Sequence, residues 1–203
     1  MTASSSELDA RWLAALARLV DRAAHELKGA LNGVSVNQEV IRSRAEKPNT
    51  SAASVSSFAA AAADQLDVVI SLTEALLALT RRAREPVEVG AEVRRIAILL
   101  GAAARSDGKR LTVDDATAWS SVGATSAPGS AVRLAICECL LVAVEGSTDV
   151  RCVALADERA PGMRIESGEG NAVMVEPEIV AAAADAGITI RAEPSAVFIS
   201  FPR

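Results

Sequence analysis

A single histidine is the clearest candidate for chemistry in this sequence. His25 is the only histidine among 203 residues, and Glu26 follows it directly. A neutral imidazole is a good nucleophile near neutral pH and can carry a phosphoryl group. A carboxylate beside it could hold the other ring nitrogen and accept its proton during the attack. The pair therefore predicts a phosphoryl acceptor, unless His25 is a surface histidine with no role.

Two familiar roles of histidine need partners that this sequence lacks. His25 and Glu26 begin a pattern like that of the zinc proteases, but the second histidine ligand occurs nowhere in the chain. A hydrolytic triad has no base here except His25, which the apolar repeat described next places on a rod and not in a cleft. The three cysteines lack a metal-like spacing, and we expect Cys137 and Cys139 to be buried on a helix.

Apolar and small residues on both sides of His25 recur at alternating steps of three and four. This spacing predicts one long helix from about Glu7 to about Glu46, with a heptad seam along one face. The seam consists of Leu13, Leu16, Val20, Ala23, Leu27, Ala30, Val34, Asn37 and Ile41. His25 falls between two seam positions, so we expect it on the outer side of the helix. Small residues lie near it: Ala24, Gly29 and Gly33. They would leave room for a partner, which could explain helical glycines that each cost about 1 kcal/mol relative to alanine.

A second heptad seam follows a break at Pro48, which cannot continue a helix. Its members are Val55, Phe58, Ala62, Gln65, Val69, Leu72, Leu76, Leu79 and Ala83. This second helix should end before Pro86. Three further apolar residues widen its stripe: Leu66, Ile70 and Leu77. Two long helices with a short connection predict an antiparallel hairpin, and the wide stripes predict a homodimer in which two hairpins form a four-helix bundle.

Shorter helices and strands are expected after Pro86. Helices are predicted over 88–104, 130–145 and 177–186. Strands are predicted over 110–114, 119–122, 150–157, 163–166, 188–191 and 196–201. The expected fold class is therefore α+β: a helical hairpin over residues 1–85, then a small α/β sandwich over residues 86–203 with a mixed sheet and helices on one face.

Composition argues against several kinds of partner. The formal net charge is −5, no basic block occurs, and aromatic residues make up 2% of the chain, so nucleic-acid binding has little support. The sequence contains no uninterrupted run of about eighteen apolar residues, so we expect no membrane span. The polar N-terminus lacks the apolar core of a signal peptide. We therefore expect a cytoplasmic protein that binds neither nucleic acid nor membrane.

Residues 25–32, HELKGALN, resemble the histidine box of the sensor histidine kinases. The order of a long helical hairpin and then a small α/β domain is similar to that family as well, so the resemblance covers nearly the whole chain. It implies that His25 is the phosphorylated residue and that Glu26 acts as the adjacent base.

Four other positions of this box can be compared with the family pattern. Lys28 stands where the family usually has a basic residue, and Asn32 stands where it often has Asn or Thr. Gly29 stands where a polar residue usually supports dephosphorylation, and Ala30 replaces a common proline. The resemblance therefore supports phosphorylation of the box and leaves its dephosphorylating role open.

The second half resembles the family's ATP-binding domain in the order of its parts but departs from it in chemistry. Val142 stands where the family has a magnesium-binding Asn, and an isopropyl group cannot ligate Mg²⁺, which needs oxygen. Glu166 replaces the Asp that reads adenine. Gly168 and Gly170 remain, but an ordinary strand-end turn explains them better than a nucleotide site. Only residues 171–176 remain for a Gly-rich lid over the phosphates. We therefore expect no bound cofactor, no metal and no measurable binding of Mg·ATP.

The resemblance thus implies a histidine phosphotransferase that passes phosphoryl groups between aspartates of response-regulator receiver domains. Mg²⁺ is expected only from the partner receiver domain. Residues one or two turns from His25 are expected to contact the receiver: Arg18, Asp21, Arg22, Lys28, Gly29 and Asn32. Two alternatives remain. One is a dimeric scaffold that binds kinases or response regulators with His25 idle, and the other is a weak ATP-dependent histidine kinase with an unusual site.

Overall fold

The computed structural model describes residues 5–47, 51–83, 85–156, 161–168 and 174–203. Its helices are α1 Ser5–Ala45, α2 Ala53–Thr80, α3 Val89–Ser106, α4 Ala116–Val122, α5 Gly129–Gly146 and α6 Pro177–Asp185. Its strands are β1 Val87–Glu88, β2 Arg110–Val113, β3 Ala124–Thr125, β4 Asp149–Leu155, β5 Gly162–Ser167, β6 Thr189–Glu193 and β7 Ala196–Ser200. Over these residues the chain is α+β, with six helices and a mixed main sheet. We call α1 and α2 the hairpin, and β1 to β7 with their helices the α/β part.

The hairpin helices pack against each other with close approaches at two levels. A Cβ added to Gly33 on α1 would lie 3.2 Å from Cγ of Gln65 on α2. Nearer the connection, Nη1 of Arg44 donates a hydrogen bond of 2.6 Å to the carbonyl oxygen of Ser54. The same guanidinium lies 4.6 Å from the centroid of the Phe58 ring. The glycine therefore lets the two helices approach in the middle, and the arginine joins them near the turn.

The predicted seam of α1 is wrong in its N-terminal half. Leu13 and Val20 were assigned to the interior, but they are 61% and 37% exposed. Of the predicted positions there, Leu16 is buried, and the other buried positions are Leu8, Trp12, Ala15 and Leu19, which were not in the seam. The reason is that this half of α1 packs against α3 and α5 as well as α2, so its buried face is turned toward the α/β part. Farther along, Ala23, Ala30 and Val34 are buried as expected.

The second helix ends earlier than the sequence suggested. α2 stops at Thr80, and Arg81 already has an extended conformation, so Ala83 does not continue the seam. The buried Arg133 of α5 accounts for this end, because its guanidinium donates to the carbonyl oxygens of Ala78, Leu79 and Arg81. These carbonyls belong to the last turn of a helix and lack partners within it. A long-range side chain therefore caps the helix, where sequence suggested only the later Pro86.

The α/β part is a mixed sheet with helices on one face. The strand order is β2-β4-β5-β7-β6, with β2 parallel to β4 and the remaining neighbours antiparallel. Met163, Ile165, Val197 and Ile199 point toward the helices and are completely buried. Alternation along β5 places Arg164 and Glu166 on the opposite face. A separate antiparallel pair, β1 with β3, was not predicted.

One predicted strand is a helix. Residues 119–122 belong to α4, which begins after Asp115, whose carboxylate accepts a hydrogen bond of 2.9 Å from the backbone N–H of Ala118. Trp119 is 2% exposed on the inner side of this helix, and Gly123, with a φ of +76°, follows its end. The aspartate cap and the glycine stop outweigh the strand preference of Trp and Val. The sequence does contain a signal for this helix, because Asp115 stands at the position of an N-cap and Gly123 stands directly after the last helical residue as a stop.

Several predictions fall on residues outside the described ranges. They are the break at Pro48, the end of the third predicted strand at Asp157 and residues 169–173, which include part of the glycine turn and of the segment left for a lid. Within the described ranges the buried side chains form one continuous cluster that runs from α1 through α3 and α5 into the sheet. The hairpin and the α/β part therefore share a core.

Apolar side chains remain exposed along the hairpin. Leu66, Ile70 and Leu77 on α2 are 43%, 53% and 52% exposed, and the wider stripe predicted for this helix is present. By length and composition α2 is also apolar enough to cross a membrane, with a mean hydropathy of 1.3 over its best window. Only 11% of that window is buried within the chain, and a single such helix is weak evidence for a span. The expectation of no membrane span stays a prediction.

Candidate functional site

His25 lies in the middle of α1 with its side chain exposed. Ala23, two residues earlier, is completely buried, and Leu27, two residues later, is half-buried against the core. The imidazole therefore points outward, as the heptad argument required. Among the described residues it makes no hydrogen bond and no ion pair. An exposed imidazole without a partner among the described residues is the arrangement that a nucleophile on a helix surface needs.

The helix surface around His25 is open toward its C-terminal side. Lys28, Gly29 and Asn32 lie three, four and seven residues after it and are exposed. Residues at these spacings share one face of a helix. A Cβ added to Gly29 would meet nothing within 4 Å, so the space beside the imidazole is free. Gly33 serves a different purpose, because its missing side chain makes room for Gln65 of α2 and not for a partner.

On the N-terminal side the predicted contact residues divide into two groups. Asp21 is exposed, as a docking residue would be. Arg18 instead makes an ion pair with Glu138 in the middle of α5, and Arg22 makes one with Glu145 near the C-terminal end of the same helix. Both arginines keep part of their side chains in solvent, 55% for Arg18 and 33% for Arg22. The structure therefore uses them first to hold α1 against the α/β part.

The pairing of Arg18 has an electrostatic consequence at Glu138. Burial of the Glu138 carboxyl raises its pKa above the usual value, and the charge and hydrogen bond of Arg18 act in the opposite direction. An ionised carboxylate that is taken out of water is costly unless a cation compensates it. Arg18 is thus the counter-charge that allows an acid to lie on the otherwise apolar helix α5.

Glu26 also faces the α/β part. Its Oε1 accepts a hydrogen bond of 2.6 Å from the Ser106 hydroxyl at the end of α3. The sequence predicted that Glu26 would hold a ring nitrogen of His25, and the structure does not bring these two side chains into a hydrogen bond among the described residues. Oε2 makes no hydrogen bond within the described chain, so one oxygen is held and the other is available.

Sequence reasoning missed Ser106, Glu138 and Glu145. Ser106 lies between a predicted helix and a predicted strand, and its hydrogen-bond partner is 80 residues away in sequence, so no local pattern could connect them. The two acids are seven residues apart on an apolar helix, which places them on one face two turns apart. Such a pair indicates a basic partner, and Arg18 with Arg22 provides it.

The residues compared with an ATP site do not converge. Val142 is half-buried on α5, where it packs against the core. Glu166 lies on the sheet face opposite the helices and pairs with Arg164 at 2.5 Å. There it lines a cavity of about 590 Å³ together with Arg110, Arg151 and Phe198. The acid that was aligned with an adenine reader thus points away from the helix that was aligned with the metal site.

The three cysteines are free and buried, as predicted for the two on α5. Burial raises the pKa of Cys152 to about 12 and raises the pKa of the thiols of Cys137 and Cys139 still further. A thiol in such surroundings is a poor nucleophile because the thiolate is the reactive form. The described cysteines therefore offer no second nucleophile to compete with His25.

Comparison with known proteins adds one finding. No protein-family model matches the sequence, and no curated protein matches it. A solved structure of the histidine kinase AdeS from Acinetobacter baumannii is similar to this chain, with a TM-score of 0.45 and 13% sequence identity. The similarity covers 88% of this chain and 97% of that one. At this level it assigns no activity.

Proposed function

We propose that this protein is a histidine phosphotransferase of a two-component phosphorelay, which passes a phosphoryl group between receiver-domain aspartates through His25. The observation that supports the proposal most is the position of the only histidine. It is exposed in the middle of a 41-residue helix, with open space beside it at Gly29. A rigid helix presents a nucleophile to a large partner more precisely than a loop does.

The reaction needs little from this chain beyond a placed imidazole. In the first step a neutral ring nitrogen of His25 attacks the phosphorus of an aspartyl phosphate on the receiver. The N–P bond forms, the P–O bond to the aspartate breaks, and the carboxylate leaves with the electron pair. The proton on the other ring nitrogen passes to Glu26 or to water. In the second step a carboxylate of another receiver attacks the phosphohistidine, the P–N bond breaks and the imidazole regains its proton. Mg²⁺ of the receiver would neutralise the phosphoryl oxygens in both steps.

The docking surface proposed for the receiver is the exposed face of α1 around His25. It comprises Asp21, Lys28, Gly29 and Asn32, with the exposed parts of Arg18 and Arg22 at its edge. Lys28 would favour the incoming negative charge. The flat space at Gly29 would let the receiver reach an in-line approach to the ring.

The contacts of α1 favour an external phosphoryl donor over the chain's own α/β part. Arg18, Arg22 and Glu26 are spaced four residues apart, so they lie on one side of α1. Each contacts the α/β part. A transfer from a nucleotide held in that part would have to break these contacts to bring phosphate to His25. A receiver can approach the open side without disturbing them.

We propose further that the protein acts as a homodimer through the hairpin, as a four-helix bundle. Val20 on α1 and Leu77 on α2 lie at about the same level, since Gly33 lies opposite Gln65, and both are exposed. A second copy would cover them together with Ile70 and Leu66. Ile70→Glu with Leu77→Glu should produce a monomer in light scattering, while Ile98→Glu, a matched exposed position on α3, should leave the dimer intact. If the wild-type protein stays monomeric at micromolar concentration, the proposed four-helix bundle is wrong.

The test of the central proposal is phosphoryl transfer from labelled receivers. Wild-type protein mixed with a phosphorylated receiver domain should acquire an acid-labile label and pass it to a second receiver. His25→Ala should abolish transfer and leave helicity and oligomeric state unchanged. Glu26→Gln should slow it by about 10²-fold if the carboxylate acts as base. Asn37→Ala on the same helix, whose amide bonds its own backbone, is the matched control and should transfer at the parent rate.

Two results would replace the proposal. If His25→Ala relays phosphate as fast as the parent, or if receivers bind without labelling the protein, the chain is a scaffold with an idle histidine. If Mg·ATP binds saturably and labels His25 without a receiver, the chain is a weak histidine kinase. Isothermal titration with Mg·ATP, for which we expect no binding, decides the second case.

A further inference from the structure

One hydrogen bond connects the α/β part to the residue next to His25. The Ser106 hydroxyl donates to Oε1 of Glu26 at 2.6 Å, across the interface between α3 and α1. Glu26 is half-buried, while Ser106 is exposed, so the hydrogen bond lies at the edge of this interface. A glutamate on an isolated helix populates several rotamers, and a fixed donor on a neighbouring element selects among them.

We propose that Ser106 is a positioning residue for the phosphoryl transfer: its hydroxyl fixes the carboxylate of Glu26, the residue that follows His25, so the α/β part sets the reactivity of the phosphoacceptor. The inference rests on the proposed function, since it concerns the same acceptor site. It assigns to the α/β part a role that needs no nucleotide. Ser106 does not touch the reacting atoms and acts only through Glu26.

The turn that carries Ser106 is itself fixed from two directions. On its own helix, backbone hydrogen bonds from Asp107, Gly108 and Lys109 to carbonyls of the last turn of α3 close the chain after it. Gly108 has a φ of +72°, a conformation that side-chain-bearing residues rarely adopt. The Ser106 hydroxyl is therefore attached to a hydrogen-bonded turn, which fixes its position.

The second direction is α5. Nζ of Lys109 donates to the carbonyl oxygens of Val144 at 2.6 Å and Glu145 at 3.1 Å, the last turn of that helix. Glu145 in turn pairs with Arg22, one turn before Glu26 on α1. The contacts thus form a closed circuit from α1 to α5, to the Ser106 turn and back to α1. These contacts hold the Ser106 hydroxyl in place before the reaction begins, so the turn does not have to reorganise during the transfer.

The hydrogen bond leaves the carboxylate able to act. Oε1 is occupied by Ser106, and Oε2 makes no hydrogen bond within the described residues. An ionised carboxylate accepts several hydrogen bonds, so one oxygen can be held while the other receives the imidazole proton. Loss of the Ser106 hydroxyl would release the carboxylate to other rotamers, so Oε2 would less often be in place to take the proton when the ring attacks.

The test uses phosphoramidate, a small phosphoryl donor that needs no receiver. Because His25 is the only histidine, the acid-labile label reports this residue alone. Ser106→Ala should label about fivefold more slowly than the parent, the effect of one hydrogen bond. Ser106→Thr, which keeps the hydroxyl, should restore the rate to within about twofold. Ser121→Ala near the end of α4, whose hydroxyl bonds its own helix, is the matched control and should not change it.

A double-variant cycle separates positioning from a general structural effect. In a Glu26→Ala background, Ser106→Ala should cause no further loss, because the residue acts only through that carboxylate. Equal losses with and without Glu26, or an unchanged rate in Ser106→Ala, would overturn the inference. Receiver transfer is measured in parallel. If receivers never label the parent but the cycle holds with phosphoramidate, the proposed phosphorelay fails and the positioning by Ser106 stands.

Discussion

Removing the Arg133 side chain should greatly lower the free energy of unfolding. Arg133 is 3% exposed, and every one of its five N–H donors has an acceptor. Nε bonds Glu92 at 2.9 Å, and Nη2 reaches the same carboxylate and the carbonyl of Ala78. Nη1 bonds the carbonyls of Leu79 and Arg81. One side chain therefore joins α5 to α3 and to the end of α2.

The expected loss follows from what is left behind in Arg133→Met. Breaking a buried ion pair by removing one partner typically costs about 3–5 kcal/mol, because the remaining charge is buried without compensation. Glu92 would keep one cation, since Nη1 of Arg95 lies 2.6 Å from its Oε1. The side chain of Arg95 is 38% exposed, so this pair compensates only in part. We therefore expect a loss near the lower end, about 3 kcal/mol.

Urea unfolding followed by circular dichroism measures this loss, with all variants at one protein concentration because a dimer's stability depends on it. Arg151→Met is the matched control. Its ion pair with Asp114 lies on the open face of the sheet with 60% of the arginine exposed, so the loss should be below about 1 kcal/mol. Adding Glu92→Gln to Arg133→Met should recover part of the stability, since it removes a buried charge that Arg95 compensates only in part. A loss below about 1 kcal/mol in Arg133→Met would refute the reasoning.

Single side chains give three more predictions. Gly29→Ala should stabilise the protein by about 0.5–1 kcal/mol in urea unfolding, because its Cβ meets nothing within 4 Å, whereas Gly33→Ala should gain less or lose, because its Cβ would crowd a side chain of α2. Arg18→Ala should raise the pKa of Glu138 further, as seen by NMR titration, because Arg18 lowers it. Since the folded pKa lies above the usual value, that variant should gain stability as the pH falls through the folded pKa. The buried thiols should not react with a disulfide reagent near neutral pH until the protein unfolds, because burial holds the pKa of Cys152 at about 12; rapid reaction of folded protein would contradict this.

Local signals in the sequence were enough to place most elements. The long helices, the central helix Gly129–Gly146 and the last helix with its proline start and glycine end were predicted within a few residues. Each has a period or a cap that depends only on neighbours in sequence. The end of α2 at Thr80 was not predictable in this way. It depends on Arg133, whose acceptors lie more than fifty residues earlier in the chain.

The candidate site shows the same division. The outward direction of His25 followed from its place between two seam positions, which is a property of one helix. The partners of Arg18, Arg22 and Glu26 did not follow, because they lie on elements that meet α1 only in the folded chain. Two acids seven residues apart on apolar α5 were the one available sign that this helix faces a basic stripe.

The error in the α1 seam has a single physical cause. A period of three and four identifies an apolar face but not which neighbour covers it. The N-terminal half of α1 carries two adjacent apolar faces: Trp12 and Leu19 are buried against the α/β part and α2, while Leu13 and Val20 remain exposed. A helix with one neighbour needs only one such face, so the second face indicates a further neighbour. The exposed stripe of α2 ends at the same level, with Leu77 beside Val20. A second copy of the hairpin, placed against this level of both helices, would cover Leu13 and Val20, the two members of the predicted seam that are exposed in one chain.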